Sequence, residues 1–306
     1  MINALDNWVY ANLSGEDLTW VVNATEDMVD VADQLSLEEA CKLTISSLPK
    51  TIGERPAICF SGGIDSQTVI DTFLIAGVTP NVVVFKFIDD FNEPDVSLAI
   101  KFCESRNIVP HILEFDVIRF LNNRLLEFAT KYKISSPQFA VHLYLSGELK
   151  KLGYTSAIFG GNNLFRLQDG SWYIPEKEEL DWCYYSDQIN FPILGNFWLQ
   201  DWRLSLKATL FMEGFTPKDK IVNYQAKVNG YRKMGYDIIP QDQKYNGFES
   251  VKKYYEEMTG DGWTFELQFR IPLKKTSGVA RNKYITIPQE TETRINILKQ
   301  QKYKEI

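Results

Sequence analysis

From Pro56 to Phe159 short apolar runs alternate with longer segments of helical spacing, and this alternation restricts the chain more than any other feature. The runs at 57–60, 81–88, 111–115 and 156–159 are rich in Val, Ile, Phe and Ala, as strands buried on both faces require. Between them, 66–76, 94–106, 117–131 and 137–152 read as helices, broken by Gly77, by Asn107 with Pro110, and by Gly153. Strands joined through helices lie parallel, so the pattern predicts an α/β fold with a doubly wound parallel sheet.

Outside that core the signals are weaker. Residues 1–50 read as an acidic N-terminal extension. Alternating runs from Trp8 to Leu13 and from Leu18 to Val22 flank a Ser14-Gly15 turn and predict a hairpin. Ser36 with Glu39 forms a capping box ahead of an apolar stripe of Leu37, Ala40, Cys41, Thr44, Ile45 and Leu48 that Pro49 ends. The core spans 51–166. Beyond it, 167–306 reads as a mostly helical C-terminal region with long aromatic-rich segments such as 197–215 and 245–258.

Charge is divided unevenly. The formal net charge of −7 offers no general attraction for nucleic acid or anionic membranes. Residues 1–54 carry ten acids against Lys42 and Lys50, whereas 270–306 carry nine basic residues against Glu290, Glu292 and Glu305. That basic tail is the one stretch suited to a polyanion. Cys41, Cys59, Cys103 and Cys183 are too far apart for a zinc knuckle and too few for a disulfide scaffold, so they are expected to be reduced. With neither a basic-then-apolar leader nor about twenty uninterrupted apolar residues, the expectation is a soluble, cytoplasmic protein.

The chemistry concentrates in Ser61-Gly62-Gly63-Ile64-Asp65-Ser66, which follows the first core strand and opens the next helix. In a doubly wound sheet the carboxyl ends of the strands form the ligand crevice. Two glycines let an anion approach the main chain, the first N–H groups of the helix point at it, and the hydroxyls of Ser61 and Ser66 add donors. Asp65 is the candidate ligand for a Mg²⁺ ion that offsets phosphate charge. A turn followed by an ordinary helix cap is the plainer explanation, but the order strand, glycine pair, acid, hydroxyl, helix favours phosphate binding. A Walker lysine and a GxGxxG are both missing from the loop.

Ser-Gly-Gly-Ile-Asp-Ser after the first strand resembles the signature of the PP-loop ATP pyrophosphatase superfamily. Its members cleave ATP between the α and β phosphates and have the fold of adenine nucleotide α-hydrolases, the HUP class. The superfamily includes asparagine synthetase, ammonia-dependent NAD synthetase and tRNA thiolases. The resemblance covers about residues 55–166 and is closest to the synthetase domain of asparagine synthetase. It implies that the loop holds the pyrophosphate part of ATP and that Phe85, Lys86 and Phe87 meet adenine. It also implies that Gly160, Gly161, Asn162 and Asn163 close over the reactive end. The amides stand where asparagine synthetases carry acids, which leaves no second carboxylate for metal. Phe191-Pro192-Ile193-Leu194 and the stretch from Lys274 to Val279 resemble later asparagine synthetase fragments, and by that likeness Lys275 is a catalytic lysine for the leaving pyrophosphate. Position 2 is Ile2, not the cysteine of a glutaminase.

The function expected is an AMP-forming, carbon-nitrogen ligase using ATP and Mg²⁺. Its partners would be a small carboxylate or carbonyl acceptor, an amine donor, and, for ammonia, a separate supplier. A tRNA- or nucleobase-modifying enzyme using the basic tail, and a nucleotide-binding scaffold without turnover, are the rivals. His111 and His142 read as structural, and the cluster of Trp182, Tyr184, Tyr185, Phe197, Trp198 and Trp202 as core or interface.

Overall fold

The structure, a computed structural model, describes residues 8–14, 17–161, 165–166, 172–173, 182–212, 220–241, 247–274 and 281–304. The chain begins with β1 (Val9–Ser14), β2 (Asp17–Val22), α1 (Glu26–Gln34) and α2 (Leu37–Ser47). The core follows as β3 (Pro56–Cys59), α3 (Ile64–Ile75), β4 (Asn81–Phe87), α4 (Glu93–Ser105), β5 (His111–Phe115), α5 (Val117–Asn123), α6 (Leu125–Tyr132), α7 (Pro137–Lys151) and β6 (Ser156–Phe159). The remainder comprises β7 (Phe165–Arg166), β8 (Trp172–Tyr173), α8 (Trp182–Ile189), β9 (Ile193–Leu194), α9 (Trp202–Phe211) and α10 (Lys220–Met234). It closes with α11 (Gly247–Thr259), α12 (Ile271–Lys274), β10 (Arg281–Thr286) and α13 (Gln289–Lys304).

Among the described residues the main sheet has five strands in the order β5-β4-β3-β6-β9, and every pairing is parallel. The chain steps from β3 outward through β4 to β5, then returns to the other side of β3 with β6 and β9. This is the doubly wound arrangement that the alternating pattern predicts. Ala57, Ile58, Val82, Val83, Val84, Ala157 and Ile158 are all buried, since helices cover both faces. One face packs α3 and α4 with Phe60, Phe102 and Phe73, and the other packs α5, α6 and α7 with Phe120, Leu143 and Leu149.

Three departures from the sequence reading have simple causes. The helix expected over 117–131 is two helices meeting at Arg124, whose backbone leaves helical geometry while its guanidinium turns toward Tyr144. The fifth strand, β9, is two residues long, too short to show a period, and is defined only by pairing with β6. The third departure is a second sheet, ordered β1-β2-β10-β8-β7. It forms the expected hairpin and then joins it to the C-terminal region through parallel pairing of β2 with β10.

The first fifty residues pack with the rest. α2 places Ala40 and Cys41 in the cluster that holds α3, and Trp8 Nε1 donates to the Leu199 carbonyl at 3.0 Å. Lys207 of α9 is buried and donates to the Leu35 carbonyl at 2.5 Å, satisfying an end of α1.

Candidate functional site

The order of the sheet reverses at β3, and the crevice beyond its carboxyl end is therefore the switch point where doubly wound sheets bind ligands. Residues Ser61–Ser66 turn there. Gly62 has φ of 74°, and a Cβ would come within 2.7 Å of the Asp95 carbonyl on α4, so a side chain is excluded both by conformation and by space. α3 starts at Ile64 with Gly63 as its N-cap and no side-chain cap bond. Ser61 Oγ and Ser66 Oγ approach to 3.5 Å. Gly160, at the end of β6, abuts this helix start, since a Cβ would lie 3.0 Å from Ser66 Oγ. Gly161 follows beside Asn196. The tertiary structure thus gathers Ser61, Gly62, Gly63, Asp65, Ser66, Gly160 and Gly161 at one place.

Two site residues were not found from sequence. Asp65 Oδ2 accepts from Lys227 Nζ in an ion pair, and Asp65 Oδ1 accepts from Tyr231 OH at 2.7 Å. Both partners stand one turn apart on α10. Lys227 is 8% exposed and Tyr231 fully buried, stacked on Trp198 with ring centroids 5.3 Å apart. Burial, and then the Asp65 carboxylate, hold the Tyr231 phenol well above its usual range, so it remains a proton donor. A sequence signal does exist in the i, i+4 pairing of Lys227 and Tyr231 on one helix face, but nothing local says that this face meets the loop.

What brings α10 to the loop is a strap running from Tyr236 to Gln241. Buried Gln67 donates to the carbonyls of Gly62 and Ile239 and accepts from the Ile239 N–H, tying the strap to the loop itself. Tyr236 OH lies 2.8 Å from Thr72 Oγ1. Arg106 forks onto Asp71 and also reaches Asp237, linking α4, α3 and the strap. Burial raises the Asp71 carboxyl and Arg106 pulls it partly back.

At the end of β4, where Phe85, Lys86 and Phe87 are expected to meet a base, the side chains have partners of their own. Phe87 packs against Phe115 and Phe248. Lys86 turns outward to Asp90, 3.2 Å away, and to Glu93. Phe85 is half-buried against the cluster of α5–α7. What faces the crevice is main chain, and it is bonded by the side chain of Asn92.

Lys275, Asn162 and Asn163 lie outside the described residues. Among the described residues no group of three His, Cys, Asp or Glu side chains is placed to hold a metal ion. Asp65 offers a carboxylate in the crevice, and each of its oxygens already accepts one donor. Such a donor set fits a Mg²⁺ ion that arrives with its own phosphate ligands, and does not fit a resident all-protein site. His111 Nδ1 contacts Tyr154 OH at 3.0 Å, away from the loop, as a structural histidine would.

No protein-family model matches the chain. No curated protein matches it. Among solved structures it is similar to a protein described as a predicted subunit of tRNA methyltransferase from Methanocaldococcus jannaschii, at 13% identity over 67% of this chain and 88% of that one, with a TM-score of 0.39. It is also similar to NMN synthetase from Francisella tularensis, at 13% identity, 89% and 96% coverage and a TM-score of 0.38. A third is an NH3-dependent NAD synthetase from Campylobacter jejuni, at 14% identity, 82% and 93% coverage and a TM-score of 0.34. TM-scores this low leave the functional argument to the site.

Proposed function

We propose that the protein is an ATP-dependent, AMP-forming ligase of PP-loop type, asparagine-synthetase-like, acting on a small carboxylate or carbonyl compound. The observation that carries this reading is the glycine-paired loop at the switch point with Asp65 held against a buried cation. An oxygen of the acceptor attacks the α phosphorus. The bond to the β phosphate breaks and pyrophosphate leaves with the electron pair. Ammonia or an amine then attacks the activated carbon and AMP departs.

The roles follow from the chemistry of the donors. Ser61, Gly62, Gly63 and Ser66 bind phosphate through main-chain N–H groups and hydroxyls. Lys227 is placed to stabilise negative charge on the departing pyrophosphate, and Lys275 is a second candidate for that task. Asp65 would be the protein carboxylate for a Mg²⁺ ion bound with the nucleotide, and the ion's charge would offset that of the phosphates. Gly160 and Gly161 would flank the reactive end, and by the resemblance Asn162 and Asn163 are the candidates to close over it. Positioning and charge stabilisation supply the rate, so no side-chain nucleophile is called for.

The tRNA-modifying alternative drew on the basic tail, and among the described residues several of its basic side chains turn to groups of the protein itself. Arg294 pairs with Asp30, Lys302 with Asp33, and Lys299 donates to the Met212 carbonyl. The free, buried thiols of Cys41, Cys59 and Cys103 suit a reducing cytoplasm. The test is a screen of carboxylate metabolites for acceptor-dependent pyrophosphate release, with Asp65→Asn as control. Release that depends on an acceptor and collapses in the control supports the ligase. Undiminished release by Asp65→Asn, or none with any acceptor despite bound ATP, overturns it.

A further inference from the structure

We propose that Asn92 is a gate on the base-reading edge of the crevice: its amide holds that edge and must swing off before a purine can take it. This rests on the nucleotide reading above and concerns how the same site admits its base.

Main-chain polar groups alternate from one edge of a strand to the other with a period of two. The Phe60 N–H donates to the Val83 carbonyl at 2.8 Å, so Val83 faces β3, and Phe85 and Phe87 face the same way. β3 ends with Cys59 opposite Val83. The Phe85 carbonyl and the Phe87 N–H therefore open onto the crevice past the end of β3, alongside the turn at Ser61.

There the Asn92 amide makes two bonds. Nδ2 donates to Phe85 O at 2.8 Å and Oδ1 accepts from Phe87 N at 2.7 Å. The partners set the amide's orientation, because a carbonyl only accepts and an N–H only donates. Asn92 precedes α4, but its side chain makes no cap bond to that helix, and it is 8% exposed. Behind it stands the start of α11, where a Cβ on Gly247 would overlap the Asn92 Cβ and Phe248 meets Phe87 edge-on at 5.7 Å.

A primary amide presents an NH₂ donor beside an oxygen acceptor. The Watson–Crick edge of adenine presents N6–H₂ beside N1 in the same order, while guanine presents O6 beside N1–H, which is the reverse. Adenine can therefore replace Asn92 bond for bond, leaving neither main-chain group unpaired. Guanine would set acceptor against acceptor and donor against donor. Asn92 keeps two main-chain polar groups satisfied, and a base competes with it for both.

The experiment titrates parent and Asn92→Ala with ATP, GTP and tripolyphosphate, the last reporting the loop without a base. Truncation is expected to tighten ATP about ten-fold, from removing competition for two hydrogen bonds, while tripolyphosphate is unchanged and GTP gains nothing. Unchanged or weaker ATP binding with tripolyphosphate still bound overturns the gate and makes Asn92 a brace for its own loop. Binding of neither ATP nor tripolyphosphate by the parent sinks the nucleotide reading, and the gate with it. If the variant does not fold, ¹⁵N-phenylalanine-labelled parent serves instead. ATP then shifts the Phe87 amide resonance and tripolyphosphate does not, and a Phe87 amide indifferent to ATP overturns the gate.

Discussion

Asp65 sits in the first turn of α3, where an acid is favoured by the helix dipole, yet its side chain is bound by residues more than 160 positions away. Removing either partner separates the two roles of the cluster. Tyr231→Phe deletes only the hydroxyl and is expected to destabilise by about 0.5–1.5 kcal/mol, the net worth of a hydrogen bond to a part-buried acceptor, read from urea midpoints. Lys227→Met is expected to abolish acceptor-dependent pyrophosphate release, whereas Lys227→Arg retains part of it. A Lys227→Met enzyme with parental turnover would remove Lys227 from the site. The thiols give a pH prediction of definite sign. Burial pushes Cys41 from 9.0 up to about 11, so the unfolded chain releases that proton first. Stability is therefore lost as pH rises between about 9 and about 11. For the same reason, native protein treated with iodoacetamide at pH 8 is expected to leave Cys41, Cys59 and Cys103 unmodified by mass spectrometry.

At the level of elements, legibility followed the range of the interactions involved. Ser36 accepts from the Glu39 N–H at 3.1 Å while the Glu39 carboxylate accepts from the Ser36 N–H at 2.8 Å, a box written within four residues. Ser36→Ala is expected to cost about 1 kcal/mol in thermal or urea unfolding, with nucleotide binding unaffected. The strand at 111–115 and that at 156–159 begin and end where the apolar runs do. Gly62 was legible as a loop glycine because positive φ and an approaching helix both exclude a Cβ. Gly62→Ala is expected to abolish tripolyphosphate and ATP binding together in calorimetry. What could not be read were elements without a period of their own. β9 is two residues, and β10 exists as a strand because β2 and β8 bond its edges.

For the whole molecule, part of the opposed charge of the two ends is paired among the described residues. α1 and α13 pack together through Arg294–Asp30 and Lys302–Asp33, each 2.6 Å apart, and Thr291 Oγ1 donates to the Ala24 carbonyl. These pairs are partly open to solvent, so an Asp30→Asn, Asp33→Asn double variant is expected to lose only a little stability. That loss should shrink in 1 M salt, measured by thermal unfolding. Alternation of apolar runs, the glycine-paired loop and the capping box were determined by the sequence alone, because each is an interaction among neighbours whose spacing is itself the signal. Which cation meets Asp65, which side chain covers the edge of β4, and which acids answer the basic tail were decided only by tertiary structure. Those contacts join segments that share no local period, and packing of α10, α11 and α13 onto the sheet core is what brings them together.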